Sequence, residues 1–138
     1  MRRLILAILI LPILTFAADS PLDGTWEFDL SSIQSPNKPA TAPYFTIKST
    51  PDGLIYTDSS GESFEVKFDG KYYPVKGPRG GLISVTKLND HSIVQTVKRD
   101  GKVVRVYYMT VSADGKTAFL KTENKEQGST TTSTVIKQ

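Results

Sequence analysis

From Thr25 onward the chain alternates apolar and polar side chains in short runs, separated by turns rich in Asp, Asn and Gly. A period of two sends successive side chains to opposite faces of an extended backbone, so each run predicts a half-buried β-strand. The clearest is Ser63 to Asp69, with Phe64, Val66 and Phe68 on one face and Glu65, Lys67 and Asp69 on the other. Similar runs cover Thr25 to Leu30, Tyr44 to Ser49, Leu54 to Ser59, Leu82 to Leu88, Ile93 to Arg99, Lys102 to Val111, Thr117 to Thr122 and Thr130 to Ile136, nine strands in all. Five Asp-Gly pairs, beginning at Asp23, Asp52, Asp69, Asp100 and Asp114, punctuate the runs. Asp and Gly tolerate the positive φ angles of a two-residue type I′ hairpin turn, so stacked hairpins are expected. Outside the first 17 residues, no stretch holds a helical period for long.

Links this short join antiparallel neighbours, because a parallel return needs a crossover of a dozen residues or more. The expected fold is all-β, an antiparallel up-and-down β-barrel of eight to nine strands, with a β-sandwich as the alternative. Pairing the last run with the first removes both exposed sheet edges, which places Thr130 to Ile136 beside Thr25 to Leu30. The segment Ser35 to Pro43 carries three prolines and predicts a loop or extended crossover. Gly70 to Gly81 predicts a second long connection.

Met1, Arg2 and Arg3 followed by the apolar Leu4 to Phe16 predict a cleaved secretory signal ending at Ala17, and hence a periplasmic or secreted protein. The apolar run is too short to span a bilayer, so no stable membrane insertion is expected after cleavage. Residues 18–138 then form one barrel domain with a single core. Export also changes the charge picture. Losing Arg2 and Arg3 turns 17 basic residues into 15 against 14 acidic ones, a net charge of +1. Basic and acidic residues are interleaved without a basic stripe, so no nucleic-acid partner is expected. The absence of cysteine removes disulfides, thiolate catalysis and a lipidated-Cys anchor.

Gly24-Thr25-Trp26 opens the first run, followed by a Phe68-Asp69-Gly70-Lys71-x-Tyr73-Pro74-Val75 block, a Gly101-Lys102-Val103-Val104 hairpin and a Ser112-x-Asp114-Gly115-Lys116-Thr117 turn. In these features the chain resembles lipocalin-like, calycin-type secreted bacterial proteins, whose Gly-x-Trp places a Trp as the plug of the barrel's closed end. The resemblance spans almost the whole exported portion and implies a lipocalin-like barrel, while the group it points to brings no established activity with it. The chain departs from the better-known lipocalins in lacking a Thr-Asp-Tyr motif, a C-terminal helix and an Arg near the end of the last strand to cover Trp26.

Candidate chemistry is sparse. The run Lys102 to Val111 is apolar on both faces, and one of them includes Arg105, Tyr107 and Met109. If that face points inward, Arg105 requires an acid or an anionic head group, because an unpaired buried charge is costly. Arg105 and Tyr107 are therefore candidate contacts for the polar end of an amphipathic ligand, its tail on Phe45, Ile47, Phe64, Val66 and Phe68. Tyr56 is a further candidate, and Arg79, within Gly77-Pro78-Arg79-Gly80-Gly81, another at the barrel mouth. The one histidine, His91, stands in a predicted turn without a nucleophile at a recognised spacing. No catalytic residue, metal site or cofactor is expected. The functional expectation is a carrier or sensor for a small hydrophobic or amphipathic ligand. The alternative is an interaction or inhibitor module acting through the loops Pro36 to Pro43 and Lys76 to Gly81.

Overall fold

The computed structural model describes residues 20–34 and 38–138, so the expected export signal and part of the Pro-rich loop lie outside the described residues. The strands are β1 (Gly24–Phe28), β2 (Tyr44–Ser49), β3 (Gly53–Asp58), β4 (Ser63–Lys67), β5 (Tyr73–Pro74), β6 (Leu82–Asn89), β7 (Ser92–Arg99), β8 (Lys102–Val111), β9 (Thr117–Asn124) and β10 (Ser129–Lys137). All ten belong to one antiparallel sheet in the order β4-β3-β2-β1-β10-β9-β8-β7-β6-β5. The architecture is therefore an all-β, up-and-down, nearly closed barrel. β10 runs beside β1, with Trp26 opposite Lys137 and Phe28 opposite Val135. That pairing moves the seam away from the chain ends and into the middle of the sequence.

The seam lies between β4 and the segment after β5. Ser63 and Lys76 form an isolated bridge there, exchanging two backbone hydrogen bonds of 2.8 Å. The tenth strand, β5, is the element that periodicity does not reveal. It is two residues long and ends in Pro74, which has no N–H to give a ladder.

Alternation fixes the inner face. Phe64 and Val66 of β4 are buried while Glu65 and Lys67 are exposed, as the pattern predicts. The turns are more varied than five Asp-Gly pairs suggest. Only Asp100-Gly101 has positive φ at both positions, 50° and 75°, as a type I′ turn requires. Asp23-Gly24 instead enters β1, and Asp114-Gly115 sits in a longer turn where Asp114 Oδ1 accepts from Lys116 N at 3.0 Å. A bulge between Val97 and Lys98 opposes two β7 residues to three in β8, with Val104 as the extra one. Among the described residues, no helix is long and apolar enough to cross a membrane.

The core divides into two parts along the barrel axis. Trp26, Leu22, Ile47, Leu54, Val66, Val85, Ile93 and Val135 are each less than 2 % exposed and fill one end. Trp26 is the plug. Its indole Nε1 donates to Leu22 O at 3.0 Å, which satisfies the one polar atom buried with the ring. Lys137 lies over the ring, Nζ 4.9 Å from its centroid, and donates to Pro21 O at 3.0 Å. The last strand thus supplies a lysine as the cation over the indole. Gly24 leaves room for this arrangement, since a Cβ there would stand 3.3 Å from the Lys137 stem.

Candidate functional site

Two steps further along the same inward rows, the side chains change. Ile47 gives way to Phe45, Leu54 to Tyr56, Val66 to Phe64, and Ile93 to Gln95. These residues surround a cavity of about 280 Å³ at the end opposite Trp26. Pro43, Val75, Ile83, Val97, Met109 and Leu120 complete its apolar lining.

One wall is an aromatic ladder from β1 to β4. Phe45 stacks on Tyr56 at 5.6 Å between centroids, and Tyr56 on Phe64 at 4.6 Å with an interplanar angle of 8°. Phe28 closes the row edge-on to Phe45 at 6.1 Å. The cause is register. Tyr56 is directly opposite Phe64 across the β3–β4 pair, where facing aromatic side chains pack against each other.

The Tyr56 hydroxyl donates to Asp58 Oδ2 at 3.1 Å. Burial pushes the phenol pKa up, and the neighbouring Asp58 carboxylate raises it further, so Tyr56 stays a neutral donor. Asp58 also ties down the β3–β4 turn, its Oδ1 accepting from Ser60 N at 2.9 Å, Ser60 Oγ at 2.6 Å and Glu62 N at 3.2 Å. Beside it Glu62, only 6 % exposed, accepts from Arg79 N at 2.8 Å and from Arg79 Nε at 3.3 Å. This pair draws the Gly77–Gly81 loop down over the seam. The approach is close enough that a Cβ on Gly77 would lie 2.6 Å from Gly61 O.

The opposite wall, from β7 to β9, presents a polar row. Gln95 is opposite Tyr107, and Tyr107 is opposite Thr122. All three line the cavity, and none of their side chains hydrogen-bonds to a described residue. Gln95 is only 9 % exposed.

Three of the four residues singled out from the sequence, Tyr56, Tyr107 and Arg79, thus meet around one space. Arg105 stands apart. Its register neighbour is Val97, but beyond the Val104 bulge its guanidinium reaches the rim. There Nη1 donates to Asn124 Oδ1 and Val104 O, each at 2.9 Å, and meets Glu126 Oε2 at 3.4 Å. The charge that calls for an acid thus finds Glu126, and Arg105 is not among the lining residues. Nor are Ile47, Val66 and Phe68, expected beneath a ligand tail; Ile47 and Val66 belong to the packed end.

Gln95, Thr122 and Arg99 also line the cavity and were not singled out from the sequence. Gln95 had a legible signal, a lone amide in the otherwise apolar alternate row Ile93, Gln95, Val97. His91 lies away from the cavity in the β6–β7 turn, its Nδ1 3.2 Å from Val111 O. Among the described residues, no cluster of three or more His, Asp or Glu is placed to hold a metal.

Fold and cavity together define a small antiparallel barrel plugged by tryptophan at one end and hollow at the other. In comparisons with known proteins, the chain matches no protein-family model and no curated protein sequence.

Proposed function

We propose that this protein is an exported, non-enzymatic, lipocalin-like carrier or sensor that binds a small hydrophobic or amphipathic molecule inside its barrel. The observation that carries this reading is the asymmetry of the interior. One end is closed by Trp26, and the other surrounds about 280 Å³ with an apolar lining and a few inward polar groups, the usual make-up of a ligand site. The lipocalin-like character draws support from Gly24-x-Trp26 at the closed end and from Lys137 lying over the indole. Export rests on the sequence of residues 1–17 alone. Tyr56, Tyr107 and Arg79 are the proposed ligand contacts, and no cofactor is required.

Native mass spectrometry of the protein purified from its own host tests the reading. The expected result is a bound species that leaves on denaturation and is lost when Met109→Trp fills the cavity. A single protein mass with no adduct, under conditions gentle enough to keep weak complexes, would contradict it.

A further inference from the structure

The free hydrogen-bonding capacity of the cavity has a definite sign. Both acids in the lining are engaged, Glu62 by Arg79 and Asp58 by four donors from Tyr56, Ser60 and Glu62. Arg99, at the end of β7, also lines the cavity but makes no ion pair and no side-chain hydrogen bond to a described residue. Its side chain lies against the Gly81 backbone, and its Nε is buried without a partner. A buried donor left unsatisfied is costly in a folded protein, so Arg99 has unused capacity that a water or a ligand group can take up. What remains unengaged is a guanidinium together with the Gln95 amide and the Tyr107 and Thr122 hydroxyls.

Shape adds a second constraint. Both faces of the Tyr56 ring are covered by Phe45 and Phe64, and the stack runs from strand to strand. The ladder therefore turns ring edges, not faces, toward the cavity. Ring edges carry partial positive charge and pack best against the electron-rich face of another ring. The volume of about 280 Å³ suits a compact ligand of one or two rings.

We propose that the cavity takes a small planar aromatic anion, a one- or two-ring carboxylate. Its ring face lies on the edges of the Phe45–Tyr56–Phe64 ladder, its rim meets Gln95, Tyr107 and Thr122, and its charge is held by Arg99. This rests on the carrier reading and narrows it to a ligand class.

Calorimetric titration of the purified full-length protein with naphthalene-2-carboxylate, neutral naphthalene-2-carboxamide and flexible decanoate tests it. The carboxylate is expected to bind at least tenfold more tightly than the carboxamide, and decanoate not measurably. Arg99→Gln removes the preference, weakening the carboxylate tenfold or more while the carboxamide stays within twofold, which also shows that the variant is folded. Arg105→Gln, altered at the rim, leaves both affinities within twofold. Equal binding of carboxylate and carboxamide by the native protein, decanoate binding as tight as the aromatic acid, or a preference that survives Arg99→Gln would overturn the proposal. If no probe binds but a native adduct is seen, this ligand class fails and the carrier reading stands; if neither is seen, both fail.

Discussion

The two ends of the barrel are built from the same strands, the same inward rows and the same register, yet one is solid and the other hollow. At the solid end the inward residues are branched aliphatics around one tryptophan, and they pack with it into a cluster in which each is almost wholly buried. At the hollow end they are longer, but they do not reach across. Phe45, Tyr56 and Phe64 stack on one another along the wall, which commits their faces to neighbours on the same side. Large side chains can therefore leave a space that smaller ones would close, because cross-strand stacking competes with packing across the lumen.

Matched leucine truncations sharpen this contrast most strongly. Leu54, fully buried at the packed end, should lose about 3 kcal/mol on Leu54→Ala, within the range for a leucine removed from a dense core. Leu120, half-buried beside the cavity, should lose about 1 kcal/mol on Leu120→Ala, since part of its surface already faces open space. Denaturant midpoints at unchanged m-value give both figures, and equal losses would mean that the hollow end is packed in solution.

A smaller effect is expected at Tyr56. Replacing it by Phe keeps the ring in the stack but deletes the bond to Asp58, at a cost of about 1 kcal/mol near neutral pH. The pH dependence has a definite sign. The folded phenol titrates above its unfolded value, so its contribution is complete below about pH 10 and is lost as the pH rises past that point, where the unfolded chain gives up the proton first. The stability gap between the native protein and Tyr56→Phe should therefore narrow between pH 7 and pH 11, measured by urea unfolding at each. A gap that widens would contradict this.

Much of the barrel was legible before any coordinates. Period-two runs located nine strands to within a residue or two at most ends, and edge protection placed the last strand beside the first. β5 was hidden because two residues carry no period, and the seam because nothing local marks where a circular sheet fails to close. The cavity was half legible. Tyr56, Tyr107 and Arg79 stood out as residue types and do converge, but alternation says only which face a residue takes, not how high it stands in the barrel. Arg105 shows the difference, since the Val104 bulge carries its head group to the rim and into the hands of Asn124 and Glu126. Lys137 shows another. The last strand carries no arginine near its end, but Lys137 covers Trp26, because either cation suits an indole face.

The division into a sealed end and a receptive end is tested most directly by two-dimensional amide and side-chain NMR during titration with naphthalene-2-carboxylate. Resonances of Phe45, Tyr56, Phe64, Gln95, Tyr107 and Thr122 are expected to shift together, while the Trp26 indole N–H, Ile47 and Val85 stay in place. Shifts centred on Trp26, or spread over the exposed Leu88, Phe119 and Ile136 on the outer surface, would contradict the account.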